Sequence, residues 1–355
     1  MKKLSLLTFA LCATIYSAKA QDSVAVESPL EISGSVDAYY KYDFAGVGNI
    51  PTYFNSDHNS ISLGMINVAL KKTTGKASFV GDLSFGPRGQ AQSIPDAAVS
   101  ETSDGDLSFS SFHIQNLYAS YAFTDKFSMT AGYMGTFIGY EVISPAANFH
   151  YSTSYLFGAG PFQNAGIRAN YAISDKVGIM AGLFNDWNVY SDANGVSHFG
   201  AQLSLAPVEG LSAYLNFLTG SSEGGELNYS SGTIYDVVAS YEFSDKFSLG
   251  LNAADYSFKS DGGYTGIALY PKYSVSESFA LGARGEYFKN KDVGGVDGES
   301  VTSFTLSANL KHGGLTFIPE VRLDNAKNDT FGFVKESGAP TKSASQFSLA
   351  LVYAF

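Results

Sequence analysis

The chain has 355 residues and carries 22 Lys and Arg against 33 Asp and Glu, a net charge of −11. This acidity argues against nucleic acid as a partner, and a single cysteine, Cys12, excludes a disulfide framework. With 27 Phe, 23 Tyr and 37 Gly, and no Leu-rich helical periodicity, the composition is that of a β protein.

Residues 1–20, MKKLSLLTFALCATIYSAKA, read as a secretory signal. Lys2 and Lys3 form the charged start, an apolar stretch follows, and Ala18-Lys19-Ala20 offers small residues for cleavage before Gln21. A transmembrane anchor fits less well, because Ser5, Thr8 and Thr14 interrupt a short apolar run. A lipoprotein signal around Cys12 lacks the Leu-x-small pattern. Removing this segment leaves 19 basic residues against 33 acidic, a net of −14, and no cysteine. No later run of roughly 18 apolar residues exists to cross a membrane as a helix.

Residues 21–355 form the second unit, and along it short turns alternate with longer loops. A first strand, ISGSVDAYYKYDF (32–44), precedes a polar stretch at 45–59. The tight turn KKTTGK (71–76) is followed by a long irregular stretch at 87–109. The next turn, YAF-TDK-FSM at 121–129, is repeated as YAI-SDK-VGI at 171–179 and YEF-SDK-FSL at 241–249. Looser versions lie at 205–213 and 273–281, and KHGG (311–314) completes seven. The remaining longer loops fall at 137–162, 188–197, 220–232, 259–263, 289–300 and 324–345. Polar turn-formers between alternating apolar runs predict hairpins. Seven hairpins and one strand at each end make sixteen strands, with about 21 residues for each strand and its connection, ample for a membrane-crossing strand of roughly 9–11.

Within these runs the two faces differ. Phe247, Leu249, Leu251 and Ala253 oppose Ser248, Gly250 and Asn252; Phe279, Leu281, Ala283 and Tyr287 oppose Gly282, Arg284 and Glu286. Pro271 and Pro319 fall on the apolar face and are expected at β-bulges. A soluble sandwich would share this alternation. It would not need Tyr121, Phe123, Tyr171, Tyr241, Phe243 and Tyr273 crowded beside the tight turns, which is the pattern of an aromatic girdle at a membrane interface. In lipid an open sheet leaves its edges unpaired, so the strands must close. The fold expected is a single all-β transmembrane antiparallel barrel of about sixteen strands, with short periplasmic turns and long extracellular loops. The last strand, QFSLALVYAF, places Phe347, Leu349, Leu351, Tyr353 and Phe355 on one face. Tyr353 and Phe355 read as the terminal signal recognised by the outer-membrane barrel insertion machinery.

The same parity places Asp37, Lys41, Asp82, Arg168, Asp236, Glu242, Lys272, Arg284, Glu286, Lys311, Glu320 and Arg322 on the inner face as candidate pore-lining residues. Facing lipid, each would cost roughly 2–4 kcal/mol near the midplane, whereas a wet lumen tolerates them. Such rings of charge set ion preference; the blander role is that Arg284/Glu286 and Glu320/Arg322 pair across strands and brace the wall. The segment 137–162 is too apolar to sit in water. Folded inward, it is a candidate constriction, with Thr136, Tyr140 and Glu141 at its start; packed on the rim or against a neighbouring subunit, it would not be.

Catalytic and metal chemistry is not legible. The five histidines are dispersed, and no HExxH or CxxC spacing occurs. Asp324-Asn325 and Asn328-Asp329 could hold calcium weakly, or simply belong to a solvated loop. Ser108, Ser110 and Ser111 stand near His113, but nothing orients a triad.

ISGSVDAYYKYDF (32–44), DLSFGPRGQ (82–90) and GTFIGYEVISPAANFHYSTSYLFGAGPFQNAGIRANY (135–171) resemble the OmpL-like β-barrel porins from about residue 30 onward. That resemblance implies an outer-membrane channel with no cofactor and no active site to carry over. The function expected is passive diffusion of small hydrophilic solutes or ions. Its rival is a plugged barrel with a structural or adhesive role. Expected partners are outer-membrane lipid, the insertion machinery and small solutes, with a homo-oligomer left open. A TonB-dependent transporter is excluded by length, since its 22 strands and plug need a longer chain.

Overall fold

The computed structural model of the chain describes residues 28–50, 52–88, 114–192, 195–222 and 231–355. The signal segment at 1–20 lies outside the described residues, as do Ser108, Ser110, Ser111 and His113.

Sixteen strands run in chain order: β1 (Glu31–Asp43), β2 (Ser60–Thr74), β3 (Ala77–Phe85), β4 (Ile114–Ala122), β5 (Phe127–Gly135), β6 (Gln163–Ser174), β7 (Val177–Phe184), β8 (His198–Leu205), β9 (Leu211–Gly220), β10 (Gly232–Glu242), β11 (Phe247–Phe258), β12 (Gly263–Ser274), β13 (Phe279–Asn290), β14 (Ser300–His312), β15 (Leu315–Ala326) and β16 (Ser343–Ala354). Each pairs antiparallel with its sequence neighbour, and β1 pairs with β16 to close the barrel. Closure leaves no unpaired edge, which is the condition for strands surrounded by lipid.

Side chains alternate between the two faces as the sequence requires. Outward-facing Leu63, Leu183, Leu306 and Leu323 are 50–69% exposed, while inward-facing Asp37, Arg284, Glu320 and Arg322 are 0–2% exposed. An isolated barrel in water would not tolerate so wide an apolar exterior. At the short-turn end, Tyr121, Phe123, Tyr171, Phe243 and Tyr273 point outward, and Tyr121 and Phe123 meet edge to face at 4.9 Å. The repeated turn has a common construction: Phe123 N–H and Thr124 N–H both donate to Phe127 O, and Phe127 N–H donates to the Thr124 hydroxyl at 3.0 Å. Phe243, Ser244 and Phe247 repeat it. The third copy differs, because β6 and β7 meet at Asp175-Lys176 with a register shift between Ala172 and Ser174.

The two prolines do not mark bulges. Register is unbroken on either side of Pro271, with Leu269 opposite Gly285 and Lys272 opposite Gly282, and likewise around Pro319. Each proline stays in register with its other neighbour, Leu249 and Leu349 respectively. The missing N–H thus interrupts one ladder without inserting a residue. Bulges occur instead at Val36/Ala38 and at Asp82/Leu83. At the first, Met65 N–H leaves the ladder and donates to Asp37 Oδ1 at 2.9 Å. Asp324 and Asn325, expected in a loop, are strand residues of β15.

Candidate functional site

The segment between β5 and β6, residues 136–162, turns into the barrel and spans its interior. Its base is closed by Thr136 N–H donating to Phe162 O at 3.0 Å, and the Thr136 hydroxyl accepts from Ile138 N–H at 3.1 Å. Gly139, at φ +88°, makes the inward bend that a side chain would resist, and its N–H donates to Asp236 Oδ1 on β10 at 3.0 Å. Farther along, the Asn148 side chain holds both the N–H and the carbonyl of Val142. A single helical turn, α1 (Tyr155–Ala159), is capped by the Ser154 hydroxyl, which accepts from Phe157 N–H.

The segment docks on the wall in two ways. Apolar side chains fill dimples left by inward glycines: Tyr140 covers Gly250 on β11, Leu156 covers Gly266 on β12, Phe149 covers Gly282 on β13, and Phe137 covers Gly200 on β8. A carbon added at any of these glycines would overlap the group it faces. Tyr140 also stacks on Tyr270 at 4.2 Å. Wall charges make the second contact. Arg284 pairs with Glu141 at 2.7 Å and donates to the carbonyls of Ser152 and Thr153. Glu320 accepts the N–H groups of Tyr151 and Ser152; Glu286 accepts those of Tyr155 and Leu156. Arg322 donates to Thr153 O and to Asp324. The Tyr151 hydroxyl reaches Asp37 on β1 at 2.5 Å, and the Tyr155 hydroxyl reaches Asp324 at 2.6 Å.

Burial follows from this docking. The imidazole of His150, against Ser307 at 2.7 Å and 3.9 Å from Glu320, is held well below its usual range by desolvation and then by the Arg284 charge. The Tyr140 hydroxyl is pushed up to about 12, by burial first and by Glu141 second.

Several of the inner charges expected from parity therefore converge, but on the inserted segment rather than on each other. Arg284 does not brace Glu286, nor Glu320 Arg322: the carboxylates hold loop backbone and the guanidinium groups hold Glu141, Asp324 and loop carbonyls. Asp82 sits apart between the Asn67 and Asn116 amides, and Asp236 holds Asn216, Asn252 and Gly139. Lys41, 1% exposed, donates to Ile50 O at 3.3 Å. Arg168 is half-buried on the inner face of β6. Glu242, Lys272 and Lys311 share the inner parity but lie toward the short-turn ends, where Glu242 and Lys311 are exposed. Tyr353 and Phe355 lie outward at the closing seam, where Phe355 exchanges backbone hydrogen bonds with Gly34. Sequence reasoning gave no docking role to Tyr151, Tyr155 or Asp324, and missed His150 and Arg88, the latter of which stacks on Phe54 and approaches Asp37. Among the described residues no group of His, Cys, Asp and Glu is placed to hold a metal.

A closed barrel of sixteen strands with an inward segment between β5 and β6 can be compared with known proteins. The model of the family described as putative beta-barrel porin-2, OmpL-like, matches residues 29–355. The chain belongs to this family. No curated protein matches it. Among solved structures it is similar to OmpF of Salmonella typhi in complex with daunomycin, at 10% identity and a TM-score of 0.62, covering 92% of this chain and 97% of that one. It is also similar to the anion-selective porin of Comamonas acidovorans (11% identity, TM-score 0.59, covering 92% and 99%). The outer-membrane channel DcaP of Acinetobacter baumannii matches at 12% identity and a TM-score of 0.58, covering 92% and 97%. At these identities the likeness is one of fold. The OmpL-like barrel thus shares the porin architecture.

Proposed function

We propose that this barrel is an outer-membrane channel for small hydrophilic solutes or ions, its lumen closed by residues 136–162 in this structure. The observation that carries the reading is how the lumen is closed. The obstruction is a tethered segment held by side-chain and backbone contacts to the wall and sharing a buried cluster with Ile50, Trp187 and Phe333 of other loops, not a narrowing of the wall itself. The wall beneath it keeps polar and charged inner residues, Ser120, Thr130, Arg168 and Gln202 among them, as a water-filled space requires.

In this reading the chain reaches the outer membrane after export on residues 1–20. Lipid surrounds the apolar exterior, and the insertion machinery reads Tyr353 and Phe355. A homo-oligomer is compatible with that exterior. No catalytic chemistry or cofactor is assigned. The second reading, a permanently plugged barrel with a structural or adhesive role, is favoured by one specific observation: Arg284, Glu320, Arg322 and Tyr151 are all 0–1% exposed at the level of the segment.

Liposome swelling with sugars of graded size separates the two. A channel gives swelling whose rate falls with sugar size, fastest when residues 142–157 are removed. No swelling from the full chain, with swelling only once residues 142–157 are removed, supports the plugged barrel.

A further inference from the structure

The wall beneath the inserted segment makes contacts of an unusual kind. Seven backbone groups of residues 149–156 are bound directly by wall side chains: the carbonyls of Phe149, Ser152 and Thr153, and the N–H groups of Tyr151, Ser152, Tyr155 and Leu156. The donors are Asn309, Arg284 and Arg322, and the acceptors are Glu320 and Glu286, each of which takes two consecutive N–H groups. Such contacts read the peptide bond and not the side chain. Beside them lie side-chain seats. Gly282 receives the Phe149 ring and Gly266 receives Leu156, while Asp37 and Asp324 take the hydroxyls of Tyr151 and Tyr155.

Carboxylates and guanidinium groups that are 0–3% exposed are costly unless charge-paired or hydrogen-bonded. Glu286 and Glu320 take most of that satisfaction from a peptide main chain, whereas Arg284 and Arg322 take part of theirs from it and are charge-paired by Glu141 and Asp324. Tethered at both ends, the segment competes at a high effective concentration, so an outside peptide would take the site only when the segment is displaced.

We propose that the inner wall of β12–β16 and β1 is a peptide-binding site occupied in cis by residues 149–156, and that the vacated lumen takes short peptides bearing aromatic and aliphatic side chains. This rests on the channel reading, and it names the solute class.

The test uses the chain with residues 142–157 replaced by a short glycine linker, in planar bilayers. The probe is a blocked peptide of the sequence FHYSTSYL, residues 149–156. The expected result is concentration-dependent interruption of the current. In the same deletion background, the change Glu286→Gln with Glu320→Gln should shorten the interruptions about tenfold, because two charge-assisted acceptors are weakened. A polyethylene glycol of similar size should give no such dwell. A conducting deletion form on which peptide and polymer act alike overturns the peptide site and leaves the channel intact.

A deletion form that folds but does not conduct counts against the channel. Fluorescence anisotropy of the labelled peptide on the detergent-solubilised protein then decides the inference alone, and absence of saturable binding overturns it. Should the deletion form fail to fold, the full-length variant Phe149→Asp with Leu156→Asp ejects the segment and keeps every wall residue. The same binding measurement applies to it, with the same two outcomes.

Discussion

Glu141, in the inserted segment, and Arg284, on β13, lie 2.7 Å apart and are separated by 143 residues of chain; neither is more than 8% exposed. Removing one partner of such a pair strands a buried charge, at a cost of about 3–5 kcal/mol. Arg284→Ala should therefore release the segment, seen as new protease cleavage between residues 140 and 160 in intact outer membranes. Glu141→Gln should act in the same direction and less strongly. The combination Glu141→Gln with Arg284→Met should recover only part of the loss, since Arg284 also donates to the Ser152 and Thr153 carbonyls.

Packing at the glycine seats gives a prediction independent of charge. Gly282 touches the Phe149 ring, and Gly250 touches the Tyr140 ring. Gly282→Leu places a side chain where Phe149 sits, and overpacking of this kind costs roughly 1–3 kcal/mol. The segment should be loosened while the barrel remains folded. Heat-modifiable migration unchanged from the parent, together with increased cleavage of the segment, is the expected pair of readings. Unchanged cleavage would mean that Phe149 has another place to go.

Acid should loosen the same segment through His150. Docked, its imidazole is held neutral by burial and by Arg284, with Arg322, Glu320 and Ser307 also facing it and Tyr270 at 6.3 Å. Undocked, it regains a pKa of about 6.5. The released form then binds more protons, so docking is at full strength above about pH 6.5 and weakens as the pH falls below that value. Cleavage of the segment should rise between about pH 7.5 and pH 5.5, and His150→Gln should remove the part of the rise that belongs to this residue.

At the seam, Gly34 and Phe355 exchange both backbone hydrogen bonds, at 3.0 and 3.1 Å, and a Cβ at Gly34 would meet the Asn67 carbonyl of β2 first and then the Phe355 ring. Gly34→Val should lower the yield of heat-modifiable barrel, because it obstructs the last pairing needed for closure. Phe355→Ala should lower outer-membrane assembly in cells more than it lowers refolding in detergent, if the terminal residue is also read by the insertion machinery.

The strands were legible because alternation and turn chemistry are local. Residues 247–253 declare two faces by themselves, and Thr124 or Ser244 caps its own turn. The docking of 136–162 was not legible, because its partners are distant in sequence: Tyr155 and Asp324 are 169 residues apart. Parity separates Gly282, which faces inward, from Gly285, which faces outward, but nothing in the sequence marks Gly250, Gly266 and Gly282 as seats for the segment. Pro271 and Pro319 misled for a related reason. A missing donor announces a ladder defect, but whether an extra residue accompanies it depends on the neighbouring strand.

Single-channel conductance in planar bilayers, compared between the full chain and the form lacking residues 142–157, tests the account most directly. A lumen closed by a docked segment predicts small or rare openings from the full chain and frequent openings of several-fold larger conductance once the segment is gone. Equal conductance in the two forms, or none from a correctly folded deletion form, would contradict it.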